Sequence, residues 1–381
     1  MLYPDTLHDL HNSLPLAPER LTVTKEMLSP YALSFGNMTK SSEKLIPNLY
    51  PKTKYVVHYK NLKYYLEKGL VLTKVHRVLA FDQEAWLKPY ITKNTVSRTL
   101  AKDDFEKDLY KLMNNAIYGK SMENKRLRVD IKLVTDAHKI RKLVAKPICQ
   151  FWERINDELV MVNMGRRTVY LDRPIYAGFS ILDISKLHMY RFHYDTMLRQ
   201  YTEKRATLLF TDTDSLCYHV ETQDIYQDMH RNLDLFDTSN YPKSHALYWP
   251  TNAKVLGKFK DETAGRPPRE FVGLRAQMCS LLVASDDTPK LTAKGVKRSW
   301  VDKHVRHDNF LHVLENKSVS YARYYKFTSR RQNLATELVN KKCLDAFDDK
   351  RYILEDGVRS YSYGHKSIPP SKRQGRMYPL P

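Results

Sequence analysis

Hydrophobic positions recur on two different periods along the chain. Phe105, Leu109, Leu112, Met113, Ala116 and Ile117 are spaced by three and four, which predicts one helix over residues 96–122 that ends at Gly119. Residues 175–200 (IYAGFSILDISKLHMYRFHYDTMLRQ) carry a broad apolar face and predict a long helix. Leu62 to Lys68 predicts a short helix stopped by Gly69. Alternation predicts strands at Tyr55–Tyr59 and Leu70–Phe81. It also predicts a hairpin of Ala206–Phe210 and Leu216–Val220, joined through Thr211-Asp212-Thr213-Asp214-Ser215. Further strands are expected at 254–260, 270–283 and 289–298, with a Gly-Arg-Pro-Pro turn at 265–268 and a bend at Gly295. Residues 300–350 read as mostly helical and basic. The Pro-rich first fifty residues read as irregular, and the last thirty as polar and frayed. There is no internal repeat and no low-complexity block.

Composition narrows the function classes. With 381 residues, 42% of them hydrophobic, the chain can build a sizeable core over two to three domains. The formal net charge is +20, which calls for a polyanionic partner, either nucleic acid or an anionic membrane surface. Cys149, Cys217, Cys279 and Cys343 are too far apart for a CxxC zinc site or a dense disulfide framework, so a reducing compartment is the simple reading. No run of about 18 apolar residues predicts a membrane-spanning helix. The first residues carry acids early and no apolar segment of a secretory signal. The 26 tyrosines can pack a core or stack on bases.

Four clusters carry candidate chemistry. Asp212 and Asp214 set two carboxylates two residues apart at the tip of an apolar hairpin. They form either an ordinary Asp/Thr turn or a site for a divalent metal, since hard cations prefer carboxylate oxygens. Lys107, Lys111, Asn115 and Tyr118 fall on one helical stripe. This is either a solvated face or a surface for a nucleoside triphosphate, with ammonium groups toward phosphate and Asn and Tyr toward sugar and base. Lys294, Lys297 and Arg298 flank Gly295 and either follow a phosphate backbone or form a plain surface cluster. The basic run at 125–146, which includes Lys139, Arg141, Lys142 and Lys146, is either a solvated face or a phosphate contact.

Order and spacing of these clusters match a family. Lys111 to Gly119 (KLMNNAIYG) resembles the K-x3-N-S-x-Y-G motif of family B DNA polymerases, with Ala116 in place of the motif serine. Thr211 to Ser215 (TDTDS) resembles their Y-x-D-T-D-S motif about a hundred residues downstream, and the stretch at Lys294 follows like their K-x-K-G element. LHDLHNSLPLAPE, NAIYGKSMEN, PIYAGFSILDISK, LFTDTDSLCY, KFKDE, EFVGLRAQM and DDKRYILEDG look like the protein-primed polymerases of Maverick/Polinton-type transposons and related viruses. The resemblance runs across nearly the whole chain.

It implies an α+β fold, with a palm of antiparallel strands centred on the hairpin and covered on one face by helices, helical fingers and a helical thumb. The implied segments are a connector and priming-protein region at 1–95, fingers at 96–122, a basic insertion at 123–165, a palm at 166–300 and a thumb with tail at 301–381. It also implies two Mg²⁺ ions (or Mn²⁺) on Asp212 and Asp214, with a dNTP held by Lys107, Lys111, Asn115 and Tyr118. DNA primer–template would lie on Lys294, Lys297 and Arg298 and on the basic collar of Lys139, Arg141 and Lys142. The priming terminal protein is the implied protein partner, and no membrane is involved. The family's reaction is attack of a 3′-hydroxyl, or of a protein hydroxyl at initiation, on the α-phosphate of a dNTP with release of pyrophosphate.

The chain departs from the pattern in one respect that matters. The family uses a third carboxylate from an upstream D-x-x-S-L-Y-P-like motif. Leu2-Tyr3-Pro4 resembles only the tail of that motif, with its Asp ahead of Met1, while Asp5 and Asp9 are nominal substitutes. The expectation is therefore a C-terminal polymerase portion without the exonuclease domain. Two alternatives stay open: an inactive remnant that binds primer–template, and a basic non-enzymatic nucleic-acid-binding protein.

Overall fold

The computed structural model describes residues 1–36, 43–283, 286–330 and 333–373. The chain is mixed α+β, with helices alternating with two- and three-stranded sheets. Two compact units form. The first comprises Met1–Gln83, Leu182–Tyr321 and Lys342–Pro381, and the second comprises Glu84–Ile181 and Ala322–Lys341. The sequence-based cuts at 95 and 300 fall inside the helices Lys88–Leu100 and Arg298–His304. Among the described residues no helix is long and apolar enough to cross a membrane.

In the first unit the Pro-rich N-terminal segment is core rather than loose surface. Tyr3, Leu14, Leu16 and Ala17 pack with Tyr64 and Tyr65 of the helix Tyr59–Glu67 and with Leu187, Tyr190 and Tyr194. Irregular backbone can be buried only where its polar groups find partners, and here the C-terminal segment supplies them. Arg351 donates to the Asn12 carbonyl at 3.0 Å and to the Ser360 and Ser362 hydroxyls at 2.7 and 2.8 Å. The tail expected to fray is thereby closed over the core through residue 373, with Tyr363 and Ile368 fully buried.

The long helix runs from Ile175 to Arg191, widens into a π turn over Phe192–Met197 and continues as Leu198–Arg205, which is kinked at Thr202, where φ is +63°. The π turn faces His193 and Tyr194 inward. His193 Nδ1 lies 2.9 Å from the Tyr218 hydroxyl, and Tyr194 donates to the Leu14 carbonyl at 2.7 Å. Tyr218 belongs to the predicted hairpin, which forms as Ala206–Asp212 and Ser215–Val220. Met197 and Tyr201 pack on the same hairpin beside Ala206, Tyr218 and Val220. The hairpin is thus fastened to the helix by buried rings.

Several predicted elements differ. Tyr55–Tyr59 is no strand: His58 caps the helix Tyr59–Glu67, and Asp183 takes its N–H at 3.0 Å. Leu70–Phe81 alternates as a strand should, yet among the described residues it pairs only in the Leu2–Val71 bridge. A strand needs a neighbour for its backbone groups. At 254–260 only Phe259–Lys260 pairs, in parallel with Phe236–Asp237. Residues 268–293 form the three-stranded antiparallel sheet Pro268–Arg275, Met278–Val283 and Asp286–Ala293, so the strand expected at 270–283 is divided by a turn at Ala276-Gln277, and the one expected at 289–298 ends at Ala293, with a helix beginning at Arg298.

The stretch expected to be helical from residue 300 is a correction. Two short helices, Arg298–His304 and His307–Glu315, give way to a long hairpin of Val319–Arg330 and Asn333–Asp345. Its cations suggested a solvated helix, but Val319, Tyr321, Tyr324, Tyr325, Phe327 and Thr328 are strand formers, and they decide the backbone.

In the second unit the single helix expected at 96–122 is two, Lys88–Leu100 and Asp104–Ser121. The break is an N-cap: Asp103 accepts from the Glu106 N–H at 2.8 Å, and the Glu106 carboxylate accepts from the N–H of Lys102, the residue before the cap, at 3.1 Å. Asn94 donates to Asn114 at 2.9 Å and links the pair. The basic run folds into a sheet with Val160–Met164 between Asp130–Val134 and Cys149–Arg154, backed by the helix Ala137–Val144.

Candidate catalytic hairpin and nucleic-acid surfaces

In the first unit Asp212 pairs with Ser215, leaving Thr213-Asp214 as a two-residue turn. Thr213 has φ +52°, a left-handed conformation that favours glycine and costs a β-branched residue on the order of 1–3 kcal/mol. The turn is closed locally. The Asp214 N–H donates to the Asp212 carbonyl at 2.6 Å, and the Ser215 hydroxyl donates to the same carbonyl at 3.3 Å. Both carboxylates are exposed, and neither forms an ion pair among the described residues. Two like charges therefore stand uncompensated at one tip of a strongly cationic chain.

A second hairpin tip meets the first. Gln277, in the turn between Arg275 and Met278, also has a left-handed φ of +60°. Its Nε2 reaches both oxygens of Asp212 at 3.5 Å. Below the tips Phe210 stacks on Phe271 at 5.7 Å between centroids. Cys217 and Cys279 lie between the two hairpins. Burial pushes the Cys217 thiol up to about 11 and raises Cys279 as well, which favours the protonated thiol at both.

The Gln277 carbonyl accepts the Lys294 N–H at 3.2 Å, and Gly295 at φ +93° turns the chain immediately afterwards. Lys294 thereby enters a cleft of about 270 Å³ together with Lys44, Arg275, Gln277 and Lys350. Lys44 pairs with Asp349, and Arg275 lies 3.8 Å from Asp345. Asp348 and Asp349 line the same cleft, and Asp348 feels the Lys350 charge, whereas Lys294 forms no ion pair among the described residues and is available to an anion. Lys297 is exposed at the start of Arg298–His304, whereas Arg298 is engaged by Asp302 at 2.9 Å and by the Leu291 carbonyl at 2.7 Å. Gln277, Lys44, Arg275 and Lys350 were not singled out from the sequence, because positions so far apart in the chain show no common pattern.

The donors at the tip are hard oxygens of the kind a divalent cation takes, but they come from two carboxylates. Among the described residues no group of three or more His, Cys, Asp or Glu is gathered as a metal site. Of the nominal substitutes, Asp9 meets Lys366 at 2.6 Å and His365 at 3.2 Å. Asp5 sits by His8 at 3.6 Å.

In the second unit Lys107, Lys111, Asn115 and Tyr118 do share one face of Asp104–Ser121. Lys107 pairs with Asp104 at 3.0 Å, while Lys111 is exposed and unpaired among the described residues. The basic run divides in two. Lys125 pairs with Asp172 at 2.6 Å, Arg128 with Glu123 at 2.6 Å and Lys132 with Asp130 at 2.9 Å. Lys139, Arg141, Lys142 and Lys146 are exposed and have no such partner among the described residues. No family model matches the chain, and neither does any curated protein or solved structure.

Proposed function

We propose that this chain is the polymerase portion of a protein-primed family B DNA polymerase, acting by template-directed nucleotidyl transfer. The observation that carries the reading is the uncompensated Asp212/Asp214 pair on a strained two-residue turn, joined through Gln277 to a cationic cleft. Backbone strain held at an exposed acidic tip is the kind that functional sites retain.

In this reading Asp212 and Asp214 hold the divalent cations, which when bound stabilise charge on the attacking and leaving oxygens. Gln277 restrains the Asp212 carboxylate without neutralising it. Lys294 neutralises backbone phosphates of the primer–template, a contribution that weakens with salt. Lys111 meets the triphosphate of a dNTP, with Lys107, Asn115 and Tyr118 on the same stripe. The family resemblance adds a terminal protein as the priming partner, and the fold's palm, fingers and thumb follow from that resemblance.

A second reading, a nucleic-acid-binding chain that does not extend a primer, is favoured by the gathering of only two carboxylates. Primer extension with Mg²⁺ and dNTPs separates the two. The polymerase reading expects synthesis that Asp214→Asn lowers at least a hundredfold while primer–template binding persists. Binding without extension, together with Mn²⁺ relaxation that is the same in Asp214→Asn and the parent, would refute it.

A further inference from the structure

Beyond the Leu2–Val71 bridge the chain leaves the core of the first unit. From Leu72 to Ala85 it forms neither helix, strand, turn nor bend, and every residue from Val71 to Trp86 is exposed. No backbone N–H or carbonyl from Leu72 to Glu84 has a hydrogen bond among the described residues. Val75, Val78, Leu79 and Phe81 give the stretch the composition of a strand, with Lys74 and Arg77 between them. It is an accessible strand whose ladder groups are all open.

A protease recognises that form. An extended peptide is held through main-chain hydrogen bonds, and side-chain pockets add specificity. Most bonds of a folded chain are refused because their backbone is already paired or buried, so cleavage concentrates where no opening is required. Lys74–Val75 and Arg77–Val78 are the bonds in this stretch that follow a cation, and both side chains are exposed. An acidic specificity pocket of the trypsin kind takes such a side chain. Arg77–Val78 lies near the middle of the open stretch, with free backbone on both sides. We infer that Leu72–Glu84 is a processing site for a protease of basic specificity, cut after Arg77 or Lys74, and that the cut chain stays assembled. Hydrolysis breaks the amide C–N bond, and the elements of water complete the new carboxylate and the free amine of the following valine.

Assembly after the cut follows from the packing ahead of it. Residues 1–71 are not a loose arm. Tyr3, Leu14, Tyr64 and Tyr65 pack with Leu187, Tyr190 and Tyr194. The Asp183 carboxylate accepts the His58 N–H at 3.0 Å, and its carbonyl accepts Asn61 at 2.8 Å. The Leu49 N–H donates to the Tyr363 carbonyl at 2.7 Å. None of these contacts lies on the open stretch. Gln83 ends the first portion of the first unit and Glu84 begins the second unit, so the cut opens one of the passages of the chain between the two and leaves the core of the first intact.

The test digests the native full chain with trypsin, and with chymotrypsin in parallel because Leu72, Leu79 and Phe81 lie in the same stretch. Early products are identified by mass spectrometry, and the digest is passed over gel filtration with and without urea. The expected early products are a fragment ending at Arg77 or Lys74 and its complement beginning at Val78 or Val75. The rate should lie within about tenfold of that for a synthetic peptide of residues 70–86, whereas a stretch that unfolds with its unit would be slower by roughly a thousandfold or more. Lys74→Gln with Arg77→Gln should abolish this tryptic cut and leave the chymotryptic one. The fragments should co-elute in native buffer and separate in urea. A stretch that stays whole while other bonds are cut, or that is cut only at the rate of global unfolding, overturns the processing site. Separation of the fragments in native buffer overturns their assembly. Neither readout involves primer extension, so failure here spares the polymerase proposal, and failure of that proposal spares this one.

Discussion

His193 offers the sharpest test of how the acidic hairpin is held. The imidazole is fully buried, stacks on Tyr218, and has no hydrogen-bond partner at Nε2 among the described residues. Burial pushes its pKa down from 6.5 to about 4, with the nearby His11 adding to the same direction. The unfolded chain therefore binds a proton between pH 6.5 and 4 that the folded chain does not, and stability falls as pH drops through that window. At 1.36 kcal/mol per unit, the full difference is about 3 kcal/mol, of which about 2 kcal/mol is lost between pH 7 and pH 5. The perturbation is His193→Phe, which keeps a ring of similar size and cannot titrate. It forfeits the contact with the Tyr218 hydroxyl at every pH, a constant offset of about 1 kcal/mol. Urea unfolding followed by near-ultraviolet circular dichroism at pH 7, 6 and 5 gives the two slopes. The parent should lose about 2 kcal/mol more than the variant between the end points. Parallel pH dependences would refute the argument, because the imidazole would then titrate alike in both states.

Two further outcomes concern the scaffold. A Cβ at Gly178 would meet Ser121 Oγ and, at 2.6 Å, Met122 Sδ, so Gly178→Ala should destabilise the second unit by roughly 1–3 kcal/mol, read as a lower urea midpoint. Arg351→Leu strips the donors that hold Asn12, Ser360 and Ser362, and should cost on the order of 3 kcal/mol. Hydrogen exchange should then show faster exchange in residues 346–373 before the rest of the first unit, and uniform protection would contradict the role assigned to Arg351.

Local signals in the sequence were read well where the element could be built from them alone. The acidic hairpin has two apolar strands and an Asp/Thr turn, and its ladder forms as expected. The long helix keeps its apolar face through the π turn, since one extra residue shifts the pattern without ending it. What escaped depends on distant partners. Leu16 and Ala17 look like loop residues until Tyr64, Tyr65 and the helix residues Leu187, Tyr190 and Tyr194 pack with them. Leu70–Phe81 has the right alternation and lacks a partner strand. The tyrosines at 321, 324 and 325 were outweighed by neighbouring charges, although aromatic and β-branched residues set the backbone there. The candidate surfaces follow the same rule. The stripe on Asp104–Ser121 was visible because it lies within one helix, whereas the cleft joins residues 44, 275, 294 and 350. Charge counting also could not separate Lys125 and Arg128, which are neutralised by acids, from Lys139 and Arg141, which are not.

The π turn sets a limit on how the length of this helix can change. A π turn absorbs one residue more than a regular helix of the same rise needs. Deleting a residue within Phe192–Met197 would let the turn relax to a regular helix and leave the segment after it in phase, so Tyr201 would keep Asp228, whose carboxylate it meets at 2.7 Å, while His193, inside the turn, would leave Tyr218. A single deletion in Ile175–Arg191 has no such slack and would rotate everything after it by about 100° unless the π turn relaxed to take it up. The turn is therefore the one place on this helix where a change of length by one residue leaves the aim of the acidic hairpin intact.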